Sequence, residues 1–204
     1  MPRRALWSSG DVVTHPEPSF PALISQIPNI LTLARIAATP VMILLLRDRA
    51  YESALLLFIV AGVTDGLDGY IAKRFDFVSR LGAILDPIAD KMLIVSAYVM
   101  LAVLGDIPFW LFLLVGFRDV MIVGGYLILE TLEGDVQMQP SIVSKVNTFL
   151  QIALVIAVLL DKTGWMPVGM FLGFLVAAVT VTTVLSGAHY VWYWGIREES
   201  RRAR

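Results

Sequence analysis

An all-α integral membrane protein of six spanning helices is the fold class the sequence predicts, and three observations carry it. The 204 residues are 57% hydrophobic with a mean hydropathy of +0.76, and only 16% are charged; a soluble domain of this size needs more polar surface. The apolar residues fall into six runs, each near or above the roughly 20 residues that a helix needs to cross a bilayer. Charges and turn formers collect mostly between these runs.

Residues 1–28 form an amino-terminal segment. Asp11 and Glu17 interrupt it and no apolar run follows Arg3-Arg4, so it is not expected to be a cleavable signal. Pro16, Pro18, Pro21 and Pro28 oppose one long helix there, and Phe20–Ile27 suits either a short surface anchor or a linker. A six-helix domain is expected over 29–196. Its runs cover 29–46, 52–72, 82–104, 108–129, 142–160 and 165–194, the last being long enough to tilt or project. The breaks are Arg47-Asp48-Arg49, the polar stretch 73–80, Gly105-Asp106 before Pro108, Glu133-Gly134-Asp135, and Asp161-Lys162. Residues 197–204 form a basic tail, and Tyr190-Val191-Trp192-Tyr193-Trp194 before it reads as an interfacial aromatic belt.

With both termini cytoplasmic, that side holds Lys73, Arg74, Arg80, Lys145 and the terminal arginines, against Arg47, Arg49 and Lys162 opposite, which satisfies the positive-inside rule. A bacterial inner membrane is expected, with a mature mitochondrial form left open. The net charge of −1 points to no nucleic-acid partner. The absence of cysteine removes any disulfide framework.

Asp65, Asp68, Asp86 and Asp90 stand at the facing ends of the second and third runs. A carboxylate at the centre of a spanning helix costs on the order of 2.5–3.5 kcal/mol, so four of them call for a counter-charge. The three-residue and four-residue spacings put each pair on one face of its helix. Hard oxygen donors suit Mg²⁺ or Mn²⁺, while zinc's usual ligands are scarce: His15 and His189 are far apart and there is no cysteine.

The pattern Asp65-x2-Asp68-Gly69-x2-Ala72-Lys73-x8-Gly82-x3-Asp86-x3-Asp90 resembles the signature of the CDP-alcohol phosphotransferases. Every fixed position and gap is met except at Lys73, where that family has arginine; Arg74 follows directly. The resemblance implies that the four aspartates hold two divalent cations, with Asp90 also the general base. It implies that Asp68, Gly69, Lys73, Arg74 and Gly82, with Asn29 and Thr32, bind the nucleotide or CDP-lipid, and that the enzyme is a homodimer. Gly69 and Gly82 leave room for close approach, and Pro87 suggests a local kink that aims Asp86.

The segments Arg118-Asp119-Val120 and Ser144-Lys145-Val146-Asn147-Thr148 resemble the CMP-forming, eukaryotic-type cardiolipin synthases within that family, whereas Ile27–Ile36 does not discriminate subgroups. This implies phosphatidyl transfer from CDP-diacylglycerol to phosphatidylglycerol, with Arg35, Arg118, Lys145 and Asn147 holding the acceptor. Arg35 and Arg118 are alternatively counter-ions within the bundle; Asp119 is a poor partner for Arg118, because successive residues on a helix point apart. Lys145 alternatively only snorkels to the interface. Three other activities stay open: a phosphatidylglycerophosphate synthase using glycerol 3-phosphate, a prenyltransferase with paired aspartates, and a divalent-cation carrier.

Overall fold

The computed structural model describes the backbone of residues 27–75, 80–133 and 141–202, and the side chains of 33–66, 91–125, 131 and 141–192. Six α-helices make up these residues: α1 (Ile27–Arg47), α2 (Tyr51–Phe75), α3 (Arg80–Leu104), α4 (Phe109–Glu133), α5 (Ile142–Thr163) and α6 (Gly169–Arg202). Each matches one predicted apolar run. The sixth differs most: α6 starts at Gly169, four residues later than its run, because Gly164 turns the chain at φ +73° and Pro167 follows. It also continues to Arg202, through most of the expected basic tail.

The helices begin and end where local chemistry permits. Ser141 caps α5 by accepting from the Ser144 amide at 3.2 Å, and the Gly164 amide donates to the Asp161 carbonyl at 3.2 Å. Gly105, at φ +78°, closes α3. Pro40 lies inside α1, and Thr39 donates its hydroxyl to the Arg35 carbonyl at 3.4 Å in the same turn. A side-chain hydroxyl of this kind helps a membrane helix accommodate an interior proline.

Three turns meet at one end of the bundle. Tyr51, opening α2, donates its hydroxyl to Asp106 at 2.9 Å, and Lys162 at the end of α5 ion-pairs with Asp106 at 2.6 Å. Trp165 donates its indole N–H to Glu52 at 3.2 Å. Burial, then the Asp106 hydrogen bond, raise the Tyr51 pKa above its ordinary value, so the phenol remains a donor at neutral pH. The described helices therefore run up and down. The Phe20–Ile27 anchor, except for the helical backbone of Ile27, lies outside the described residues.

Packing follows the same order. α1 lies against α2 and α3, α5 against α2, α3 and α6, and α4 against α3 and α6. The interior is apolar, built from residues such as Met42, Leu55, Tyr98, Leu101, Leu111, Leu154 and Val179, none more than 2% exposed. The outside is apolar too: Leu44, Leu56, Val103, Phe117, Phe149 and Phe174 are all exposed, one from each helix. A surface of this kind suits a hydrocarbon solvent. Among the described residues, α5 and Gly169–Trp192 of α6 are long and apolar enough to cross a membrane. Near the predicted aromatic belt the chain is mixed, since Trp192 is exposed and Tyr190 is buried.

Asp106 generates a prediction. Its carboxylate is 5% exposed and the Lys162 ammonium side chain 39%. Lys162→Met strands a buried carboxylate and is expected to cost about 3 kcal/mol, whereas Asp106→Asn frees a lysine that reaches water and costs about 1 kcal/mol. Thermal unfolding in detergent reads the difference; equal losses contradict it.

Candidate active site

The signature aspartates occupy the end of the bundle opposite Asp106. Asp65 and Asp68 lie in the second half of α2, and Asp86 and Asp90 in the first half of α3. At roughly 1.5 Å per residue, Asp65 is about 15 Å along the helix from Phe75 and Asp90 about 15 Å from Arg80. By the same measure Asp68 and Asp86 each lie about 10 Å from those helix ends. Two antiparallel helices joined by residues 76–79 thus carry the four carboxylate positions at matching depths. Among the described residues no group of three acidic or histidine side chains converges. Three of the four aspartate side chains lie outside that set.

Asp65 is the described member. Its carboxylate, 40% exposed, meets the guanidinium of Arg35 from α1 at 2.7 Å, and Arg35 itself is only 4% exposed. A guanidinium this deep needs an anion. The pair stands at a cavity of about 410 Å³. The rest of its lining is nearly all apolar, with Phe58, Val63, Leu93, Ile94 and Ile152 contributed by α2, α3 and α5, and Thr148 adding a hydroxyl. Gly62 lies on its wall with open space where a Cβ would stand. The cavity therefore combines one charged pair with an otherwise apolar lining, a form suited to an amphiphile.

A second charged group joins four helices. Arg118 of α4 donates from Nε to Ser186 of α6 at 3.1 Å and from Nη1 to Asp119 at 2.9 Å. Its Nη2 bonds Ser144 of α5 and Ser186 again, each at 2.5 Å. Lys91 of α3 reaches the other oxygen of Asp119 at 2.6 Å. This corrects the expectation that Asp119 is a poor partner for Arg118. The helix does turn the two Cβ atoms apart, but the arginine stem is long enough to fold its guanidinium back beside the carboxylate.

Beneath this group, Asn147 is fully buried and its amide oxygen accepts from Thr182 at 2.8 Å and Thr183 at 3.0 Å. Gln151, one turn further, is 1% exposed. Lys145 is exposed on another face of α5, so the structure does not draw it toward Arg118 as Ser144 is drawn.

Of the sequence-predicted site residues, Arg35 and Asp65 come together, Arg118 and Asn147 lie in the interior of the α4–α5–α6 side, and Lys145 stands outside. Asp68, Gly69, Lys73, Arg74, Gly82, Asp86 and Asp90 are helical, as are Asn29 and Thr32, but their side chains lie outside the described residues; so does the aim of Asp86 expected from Pro87. Lys91, Ser144, Ser186, Thr182, Thr183 and Gln151 were not anticipated. A signal for some of them exists, because Thr182, Thr183 and Ser186 interrupt an apolar run at helical spacing.

Four carboxylates supply the hard oxygen donors that Mg²⁺ or Mn²⁺ takes, and the carboxylate of Asp65 is 40% exposed. The residues present fit such ions.

Residues 25–186 match the CDP-alcohol phosphatidyltransferase family. The chain is 34% identical over 183 residues to the CMP-forming cardiolipin synthase of Rattus norvegicus, covering 82% of this chain and 61% of that protein. It thus spans less than two thirds of the rat enzyme's length. It is 34% identical over 176 residues to a probable phosphatidylglycerophosphate synthase of Mycobacterium tuberculosis, covering 83% of this chain and 82% of the relative. It is also 33% identical over 181 residues to the CDP-diacylglycerol–glycerol-3-phosphate 3-phosphatidyltransferase of Bacillus subtilis, covering 81% and 93%.

A double-mutant cycle over Arg118 and Ser186 tests the four-helix group. Arg118→Met and Ser186→Ala are expected to show a coupling of about 1 kcal/mol in detergent unfolding. Strictly additive losses contradict the bond between them.

Proposed function

Because the chain belongs to the CDP-alcohol phosphatidyltransferase family, we propose that it is a cardiolipin synthase, transferring a phosphatidyl group from CDP-diacylglycerol to phosphatidylglycerol and releasing CMP. Family membership displaces the prenyltransferase and cation-carrier readings. The observation that carries the acceptor is the cavity between α2, α3 and α5, where Arg35 and Asp65 stand at the rim of an otherwise apolar volume of about 410 Å³. A lipid leaves its chains in such a space while its phosphate meets the charges.

In this reading all six helices cross a bacterial inner membrane, with both termini and the signature on the cytoplasmic side. The meeting of three turns at Asp106 supports that arrangement, since it leaves the end of α2 with Lys73 and Arg74, the start of α1 and the end of α6 away from that end. A homodimer is proposed from the family resemblance.

Asp65, Asp68, Asp86 and Asp90 hold two divalent ions. When bound, the ions offset the charge of the diphosphate and of the leaving phosphate. Asp90 takes the proton from the acceptor hydroxyl as its oxygen forms the new bond to phosphorus and the bond to the CMP oxygen breaks. Gly69 and Gly82 leave room for the nucleotide; Asn29 and Thr32 hydrogen-bond it, with Lys73 and Arg74 beside its phosphates. Arg35 faces the acceptor, Arg118 and Asn147 brace the helices around it through Ser144, Ser186, Thr182 and Thr183, and Lys145 meets its headgroup at the membrane surface.

Glycerol 3-phosphate is the second reading, favoured by the names of the mycobacterial and Bacillus relatives. The charge arrangement weighs against it. Arg118 is already bound to Asp119, Ser144 and Ser186, and Lys145 is exposed. A nearly dianionic phosphomonoester needs a denser set of cations than these provide.

Purified protein with CDP-diacylglycerol and Mg²⁺ is expected to release CMP when phosphatidylglycerol is added, forming cardiolipin identified by mass. Release that depends only on glycerol 3-phosphate overturns the acceptor and keeps the family. Asp90→Asn is expected to lower turnover by at least about 10²-fold while CDP-diacylglycerol still binds; unchanged turnover removes Asp90 from the role of base.

A further inference from the structure

The cavity at Asp65 extends along the bundle. Its lining on α2 reaches from Phe58 to Asp65 and on α5 from Thr148 to Ile156, spans of about 10 Å and about 12 Å at the rise of an α-helix. The two helices are antiparallel. In both, the polar lining residue, Asp65 or Thr148, stands at the end nearer the signature, and the apolar Phe58 and Ile156 stand at the other. One leaflet holds half of the roughly 30 Å of hydrocarbon in a bilayer, so a slot of this length and polarity fits one acyl chain lying parallel to the helices. The slot also opens sideways, since Ile59 and Val63 line it and are 40% and 56% exposed.

Gly62 stands in the middle of the α2 wall. At about 100° per residue, Ala61 and Val63 mark the two edges of that lining arc, and Gly62 points between them on the face it shares with Phe58 and Asp65. A Cβ there would meet no atom within 4 Å. The missing side chain is therefore width in the slot. Alanine and leucine form helices more readily than glycine, so the backbone does not oppose either of them here. We propose that this slot is the subsite for one acyl chain of a substrate phospholipid, and that Gly62 is a specificity-determining residue because it keeps the slot wide enough for that chain. A chain held against Leu93 and Ile152 brings its headgroup to the level of Asp65, where the signature begins. CDP-diacylglycerol and phosphatidylglycerol both carry such chains, and only the second of them rests on the cardiolipin synthase reading.

The test titrates dioleoyl phosphatidylglycerol in one arm and dioleoyl CDP-diacylglycerol in the other onto the full chain in detergent, with bound lipid counted by native mass spectrometry. Gly62→Leu is expected to weaken one of the two lipids about tenfold, the scale of a pocket misfit by a methylene or more, and the arm that changes identifies the source of the chain. Gly62→Ala is expected to weaken the same lipid less, and it keeps the test open if leucine disturbs the bundle. The chainless counterparts, glycerophosphoglycerol and CDP-glycerol, are expected to bind both variants as they bind the native chain. In turnover the loss is expected in KM for the affected lipid, with kcat kept. Native affinity of both variants for both lipids overturns the subsite, and so does an equal loss for a lipid and its chainless counterpart, which marks a disturbed headgroup site. A native chain that makes no cardiolipin overturns the acceptor reading alone, and the CDP-diacylglycerol arm then decides the subsite.

Discussion

A charge carried into the apolar interior of a helical bundle has no water to fall back on, and each one costs several kcal/mol unless another group compensates it. Among the described residues, three such compensations organise the structure. Asp106 with Lys162 and Tyr51 gathers the turns at one end. Arg118 with Asp119, Lys91, Ser144 and Ser186 ties α3, α4, α5 and α6 together. Arg35 with Asp65 joins α1 to the stretch of α2 that carries the signature. Helix packing in a membrane lacks a hydrophobic drive between helices, so polar pairs of this kind set which helix faces which.

The three groups differ in what they leave open. Asp106 is nearly enclosed and Arg118 meets protein oxygens with all three of its nitrogens, which suits holding helices in place. Asp65, by contrast, is 40% exposed at the rim of a large cavity. A carboxylate with an accessible edge remains able to take a ligand. The end of the bundle that carries Asp65 thus keeps an accessible carboxylate, while Asp106 is enclosed by its own partners.

Much of this architecture was readable beforehand, for physical reasons. Membrane helices must satisfy their backbone within the segment, so length and hydropathy locate them well; α1 to α5 lie within a few residues of their apolar runs. The start of α6 was missed because Trp165 and Met166 are apolar enough to extend the run, although Pro167 follows them. Side-chain pairing was harder. Nothing in the linear order joins Arg35 to Asp65, since their meeting depends on how α1 and α2 pack. The Arg118–Asp119 bond was set aside on Cβ directions alone, an argument that neglects the reach of an arginine. On α5, Ser144, Asn147 and Gln151 recur at three-residue and four-residue spacing and turn inward, whereas Lys145 falls off that stripe. The stripe itself held the information that the segment resemblance did not.

The central proposal is that the carboxylates of α2 and α3 form one divalent-metal site. Anomalous diffraction at the manganese edge, from crystals grown with Mn²⁺ and CDP-diacylglycerol, tests it most directly. The proposal predicts two manganese peaks within coordination distance of Asp65, Asp68, Asp86 and Asp90. Peaks bound away from these aspartates contradict it.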